Sequence, residues 1–219
     1  MNQDGTSPPP HPDQSGRNIP SSPPRSSDLI LDPLDRFREW YAGAVDAGVV
    51  EPEAMALATA TPTGAPSVRF VLLKGIDARG VLFYTNYESR KGRELAANPR
   101  AAIAILWKPL QRQVRLEGAV ETLTALESDA YFATRSRGSR LGAWASAQSV
   151  EIPDRAWLEE RLAAADAEYP DDVPRPPYWG GYRLVPDRVE FWEGRPDRLH
   201  DREELSLEGA VWRSRRLSP

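Results

Sequence analysis

No cysteine occurs in the 219 residues, histidine occurs twice, and only Lys74, Lys91 and Lys108 among the 28 basic residues are lysines. The missing cysteine excludes a thiol nucleophile, a disulfide framework and an iron–sulfur cluster, and with so little histidine it also excludes a zinc site of Cys and His. No apolar run approaches the ~18 residues of a membrane span, and the N-terminus lacks the basic start and apolar stretch of a signal peptide; the expected compartment is the cytoplasm. A net charge of −4 offers no general attraction to nucleic acid. What remains is 40% apolar residues, enough for one core, in a length that suits one domain with a tail.

Residues 1–28 are rich in Pro and Ser and poor in large apolar residues, the composition of a disordered tail; a single domain is expected over 29–219. His11 falls in that tail, which leaves His200 as the one histidine of the folded part. Asp32-Pro33 is an N-cap followed by a first-turn proline, with Leu34, Phe37, Tyr41 and Val45 at helical spacing and Gly48 as a stop. Short β-type runs follow at 54–61, 67–76, 81–85, 101–107 and 113–123, divided by the turn signals PTGAP, DARG and ANPR. Helices are expected over 89–97, after the Thr124/Glu127 capping box, and over 153–169 with Trp157, Leu158, Leu162 and Ala165 on one face. Strands return at 182–185, 188–192, 199–207 and 210–216. Closely spaced strands joined by tight turns predict a mainly β fold with flanking helices, an antiparallel barrel or sandwich.

Four segments could carry chemistry. In RFVLLK, Arg69, Val71 and Leu73 share one strand face and Phe70, Leu72 and Lys74 the other; this is either a barrel strand with charged ends or a ligand-facing strand. In YTNYESRKGREL, Ser89, Arg90 and Lys91 arrive at the first turn of a helix, where free N–H groups and the helix dipole attract anions. Cations there disfavour the helix itself, and a bound phosphate would offset that cost. Tyr131, Arg135 and Ser139 recur every four residues and would align three phosphate donors on a continuing helix, with Gly138 as a possible interruption. That spacing alone does not separate a phosphate grip from an ordinary polar helix face. In EFWEGRPDRLHDR, Arg198 and His200 flank Leu199 and would share a face of an extended segment, near Trp192 and Arg202; a lone histidine is more often structural. With no metal and no thiol, any redox chemistry needs an organic cofactor.

The ordered series RFVLLK, FYTNYESRKG, QRQV, YFATRSRGSRLGAWAS, WGGYR, VEFWEG, RLHDR and RLSP, from Leu34 to Pro219, strongly resembles the pyridoxine/pyridoxamine 5′-phosphate oxidases, FMN enzymes of the split-barrel flavoprotein class. The resemblance implies a homodimeric antiparallel split barrel with FMN at the subunit interface. FMN contacts would fall on Arg69, Phe70, Val71, Leu72, Leu73 and Lys74, on Tyr84, Thr85, Arg90, Lys91 and Gln113, and on Gln148, Ser149, Trp192 and Arg202. Substrate phosphate would meet Lys74, Tyr131, Arg135 and Ser139, while Arg198, Leu199 and His200 would cover the pyridine ring, with Arg198 and His200 as the catalytic pair. The implied reaction moves hydride from C4′ of pyridoxine or pyridoxamine 5′-phosphate to the flavin and then two electrons to O2, giving pyridoxal 5′-phosphate and hydrogen peroxide. Two alternatives share the motifs: a phenazine-type flavin oxidase of secondary metabolism, and a non-catalytic protein that binds FMN or pyridoxal phosphate. The chain departs from the family at its start, where a basic and aromatic RxxY-type segment closes over substrate. Here that stretch has Arg17 and Arg25 but no tyrosine before Tyr41.

Overall fold

The computed structural model describes residues 32–219, so the expected tail at 1–28 and residues 29–31 lie outside the described residues. Helix α1, Pro33–Asp46, begins as its cap predicts: the Asp32 carboxylate accepts the Leu34 N–H at 2.9 Å and Pro33 occupies the first turn. Leu34, Phe37 and Ala44 are buried, Val45 is exposed, and Gly48 follows the helix in the left-handed region at φ +67°.

Among the described residues nine antiparallel strands make one sheet: β1 Ala54–Ala60, β2 Pro66–Leu72, β3 Gly75–Ile76, β4 Val81–Asn86, β5 Arg100–Trp107, β6 Arg112–Thr122, β7 Trp179–Glu193, β8 Asp201–Glu208 and β9 Val211–Arg216. Their order is β2-β1-β5-β6-β7-β4-β3, with β8 on β7 and β9 on β8. The expected antiparallel, mainly β fold is what forms. Strand β7 is the spine: it pairs with β6 over 182–193, with β4 over 179–184 and with β8 over 188–193. It is one strand where the sequence pattern predicts two. Pro186 sits opposite a bulge at Glu117/Gly118, so its missing N–H bends the ribbon without ending it. Gly118 permits that bend, since a Cβ there would lie 2.0 Å from the Val185 carbonyl oxygen.

The run expected as one strand over 67–76 is instead β2 and β3. The Leu73 N–H donates to the Glu53 carbonyl and the Lys74 N–H to the Leu82 carbonyl, at 2.8 and 2.9 Å, so the chain leaves β1 for β4 between these two residues. That exchange curls the sheet into a split half-barrel. Alternation along the strands sends Met55, Leu57, Ile103, Ile105, Val114, Leu116, Val189 and Phe191 inward, where they pack with Phe37, Phe83, Trp107 and Leu184. Each such side chain contributes about 1.5–3 kcal/mol.

Helices α2 Arg90–Ala97, α3 Ala125–Ala133, α4 Arg137–Ala145 and α5 Arg155–Glu168 complete the fold. The Thr124/Glu127 capping box forms as read. The helix expected to continue through Ser139 stops at Ala133, ahead of Gly138. Thr134 turns its hydroxyl back to the Tyr131 carbonyl at 2.7 Å, and Ser136 caps the new helix α4. Helix α5 starts two residues later than Pro153, with Asp154 as its cap. Of its predicted apolar face only Ala165 is buried, because α5 packs on α4 and Val173 and not on the sheet. No helix among the described residues is long and apolar enough to cross a membrane.

Candidate functional site

A cleft of about 840 Å³ opens between the edge strand β2, the end of β4, the start of α2 and the α3–α4 corner. Arg69, Phe70, Val71, Leu72 and Lys74 line one wall, Tyr84, Thr85, Arg90 and Lys91 the floor, and Tyr131, Arg135, Ser139, Gln148 and Ser149 the other wall. Three widely separated segments of the predicted set thus meet.

One end of the cleft is cationic. Ser89 caps α2, and Lys91 Nζ donates to Gln148 Oε1 at 2.7 Å, Thr85 Oγ1 at 2.9 Å and Ser89 Oγ at 3.2 Å. All three partners are neutral, and Lys91 is only 8% exposed. Burial, with Arg69's charge adding to it, pushes the Lys91 pKa down to about 8. Arg69 donates to Thr59 Oγ1 at 2.6 Å and to the Leu57 carbonyl at 3.1 Å; burial lowers its pKa in spite of Glu94. Glu94 was not legible as a site residue. It is buried beneath the two arginines, accepting from Arg90 Nε at 2.9 Å and from Thr59 and Ser67, with Arg69 Nη2 at 3.4 Å. Burial alone would raise its pKa, but the hydrogen bonds from Ser67, Thr59 and Arg90 hold it down to about 2. Three cations against one carboxylate leave two positive charges, which suits a phosphate monoester dianion. Gly92 is fixed by the same packing, because a Cβ there would fall 2.0 Å from the Tyr87 carbonyl oxygen.

The other end is aromatic and cationic. Tyr84 stacks on Tyr131 at 3.8 Å between ring centroids and on Trp179 at 5.7 Å, and the Arg135 guanidinium lies 4.6 Å from the Trp179 ring centroid. Burial raises the Tyr84 and Tyr131 pKa values, keeping both phenols protonated as donors, and lowers that of Arg135. Arg135 Nη1 is buried with no hydrogen-bond partner among the described residues. Tyr131, Arg135 and Ser139 meet as predicted, but through the corner between α3 and α4 and not along one helix. Ser67, Ser136 and Trp179 also line the cleft and were missed.

The remaining predicted residues lie elsewhere. Leu73 is buried in the main core, turned away from the cleft where the chain passes from β1 to β4. Gln113, Trp192 and Arg202 follow one another across β6, β7 and β8, and the His200 ring lies 4.6 Å from that of Trp192. Leu199 and His200 lie outside the strand expected over 199–207 and, with Arg198, precede β8. A 3₁₀ turn over Pro196–Arg198, with Asp197 and Arg198 at φ 57° and 62°, replaces the extended segment. The Leu199 N–H closes it onto the Pro196 carbonyl at 3.1 Å, and His200 Nδ1 accepts the Arg195 N–H at 3.1 Å. None of these six residues lines the cleft of its own protomer.

Residues 42–168 match the family described as pyridoxamine 5′-phosphate oxidase, and residues 179–219 match a pyridoxine 5′-phosphate oxidase C-terminal dimerisation region. That second match holds every member of the outlying group except Gln113. A pyridoxine/pyridoxamine 5′-phosphate oxidase of Cupriavidus taiwanensis is 58% identical over 194 residues, 88% of this chain and 92% of its own. One of Thermosynechococcus vestitus is 55% identical over 193 residues, with the same coverage of 88% and 92%. Among solved structures, PhzG from Burkholderia lata 383, in complex with tetrahydrophenazine-1-carboxylic acid, is 37% identical with a TM-score of 0.84, covering 92% of this chain and 99% of its own. A pyridoxamine 5′-phosphate oxidase-related, FMN binding protein from Nostoc punctiforme shares the fold, at 20% identity and a TM-score of 0.70 over 87% of this chain and all of its own. By sequence match, fold and the residues gathered in its cleft, this chain belongs to the pyridoxamine 5′-phosphate oxidase family.

Proposed function

We propose that the chain is a cytoplasmic, homodimeric FMN enzyme that oxidises pyridoxine or pyridoxamine 5′-phosphate to pyridoxal 5′-phosphate with O2, releasing hydrogen peroxide. The observation that carries this is the cleft with two cationic ends, one at the start of α2 and one at Arg135, as a phosphorylated cofactor and a phosphorylated substrate side by side require. The first end fits FMN in charge and donor set: Arg69, Arg90, Lys91, Thr85, Gln148 and Ser149 would hold its phosphate, and Phe70, Val71, Leu72 and Tyr84 the rest. FMN when bound supplies a two-electron acceptor that takes hydride from C4′ and delivers the electrons to O2.

The protein's own part is binding and orientation. Lys74, Tyr131, Arg135 and Ser139 would fix the substrate phosphate, and through it the register of C4′, which is where proximity acts. Gln113, Trp192 and Arg202 would complete the neighbouring subunit's FMN site, and Arg198, Leu199 and His200 would cover its substrate. Their separation from the cleft within one protomer, and the place of all but Gln113 in the matched dimerisation region, support this division. Because His200 Nδ1 accepts the Arg195 N–H, the neutral ring carries its proton on Nε2 and offers the substrate a donor. The ligand in the PhzG complex is a carboxylic acid, whereas the grip around Arg135 favours a phosphorylated substrate here.

Purified holoenzyme given pyridoxine 5′-phosphate in air should form pyridoxal phosphate and peroxide in equal amounts; no turnover with FMN bound would overturn the assignment. Arg198→Ala is expected to slow anaerobic flavin reduction about a hundredfold while FMN affinity stays within about threefold. Equal losses of both would remove Arg198 from the substrate face. FMN affinity should also depend on pH. With Lys91 at about 8 in the free protein and higher beside a bound phosphate, binding above pH 8 takes up a proton. The dissociation constant should therefore be flat from pH 7 to 8 and rise by up to about tenfold per pH unit above it, read by FMN fluorescence quenching.

A further inference from the structure

The outward face of the sheet carries a buried carboxylate that the site described so far does not use. Register places Glu190 of β7 between Arg115 of β6 and Glu204 of β8, two positions along β8 from Arg202. Glu190 is only 5% exposed although it points away from the core, because guanidinium groups cover it. Its Oε1 accepts from Arg202 Nε at 2.7 Å and its Oε2 from Arg115 Nη1 at 3.0 Å. Arg202 Nη1 donates to the Ser218 carbonyl at 3.0 Å. Two of the three guanidinium nitrogens are thus committed to this chain. Nη2 has no hydrogen-bond partner among the described residues.

The cross-strand Arg115–Glu190 pair favours the sheet, but the neighbour of Glu190 on β8 does not. Glu190 and Glu204 stand directly opposite each other, a like-charged pair that is unfavourable in an antiparallel ladder. Each needs arginines to compensate it: Glu204 takes Arg215 at 2.6 Å and Arg188 at 3.9 Å. A packed apolar pair would commonly serve stability as well or better. What the Glu190 carboxylate achieves that an apolar side chain cannot is to fix the plane of Arg202 through Nε and leave one edge free.

We propose that Glu190 is a positioning residue of the flavin site, acting through Arg202, whose Nη2 it holds ready for the cofactor. This rests on the reading of Arg202 as a cofactor contact. The test is a double-mutant cycle on the full-length dimer, with the FMN dissociation constant measured by fluorescence recovery on dilution of holoenzyme. Arg202→Ala and Glu190→Gln should each weaken binding about tenfold, a charge-assisted hydrogen bond in each case, and the double variant should bind no more weakly than Arg202→Ala alone. Glu204→Gln is the control: about as buried, and hydrogen-bonded to Arg215 and not to Arg202, it should leave affinity within about twofold. If Glu190→Gln does not yield folded holoenzyme, Glu190→Asp, which keeps the charge but draws the carboxylate back, supplies the same cycle. Multiplying effects in the double variant, or an unchanged constant for the Glu190 variant beside a weakened Arg202→Ala, would overturn the positioning role. An unchanged constant for Arg202→Ala would overturn the placement of Arg202 at the flavin, and the proposal with it.

Discussion

Lys91→Met is expected to weaken FMN binding by about a hundredfold or more while leaving the apoprotein as stable as the parent. The two halves of this result have one cause. Lys91 is a buried cation with only neutral partners, and its fall from 10.5 to about 8 corresponds to roughly 3 kcal/mol of unfavourable burial at neutral pH. The sign follows from proton binding: between pH 8 and 10.5 the unfolded chain holds the proton more tightly, so stability rises with pH there and the full cost applies below 8. Methionine removes that cost, offsetting the lost bonds to Thr85, Ser89 and Gln148. It also removes the charge that a phosphate would satisfy. Titration of apoprotein with FMN, beside a melting curve expected within about 3 °C of the parent, checks both. Unchanged FMN affinity would show that the phosphate lies elsewhere, and the pH dependence above 8 should vanish in the same variant.

Arg135→Ala should raise KM for pyridoxine 5′-phosphate about a hundredfold with FMN affinity unchanged. The reason is that Arg135 lines the cleft and its Nη1 has no hydrogen-bond partner among the described residues, so its removal orphans no partner there. Steady-state kinetics with pyridoxine itself supply the contrast, since a substrate without phosphate should not distinguish the variant from the parent. Arg135→Lys should recover only part of the loss, because an ammonium cannot grip two oxygens and loses the stack on Trp179. An equal loss with both substrates would mean that Arg135 shapes the pocket and does not read the phosphate.

How far the site was legible in the sequence depended on how local each signal is. The Asp32-Pro33 and Thr124/Glu127 caps are local and formed where expected. Ser89, Arg90 and Lys91 likewise stand at the first turn of α2 as read, because they belong to one helix start. Glu94 escaped notice because four residues after Arg90 it reads as a surface ion pair. Its burial is decided by Thr59 and Ser67, which arrive from β1 and β2. Tyr131, Arg135 and Ser139 come together in a geometry other than the single helix face expected, since a hydroxyl competing for a backbone carbonyl breaks the helix at Thr134. Leu73 was misplaced because strand alternation does not say where a strand changes partners. Arg198 and His200 were picked out by motif alone, and the turn with two left-handed residues that holds them has no glycine to announce it.

Anaerobic addition of pyridoxine 5′-phosphate to holoenzyme, followed by the flavin's visible spectrum, tests cofactor, substrate and hydride transfer together. The expected result is bleaching of the oxidised flavin with one pyridoxal phosphate formed per flavin, reversed when air is admitted. Oxidised flavin that persists with the phosphate ester bound would contradict the assignment and leave a binding protein in its place.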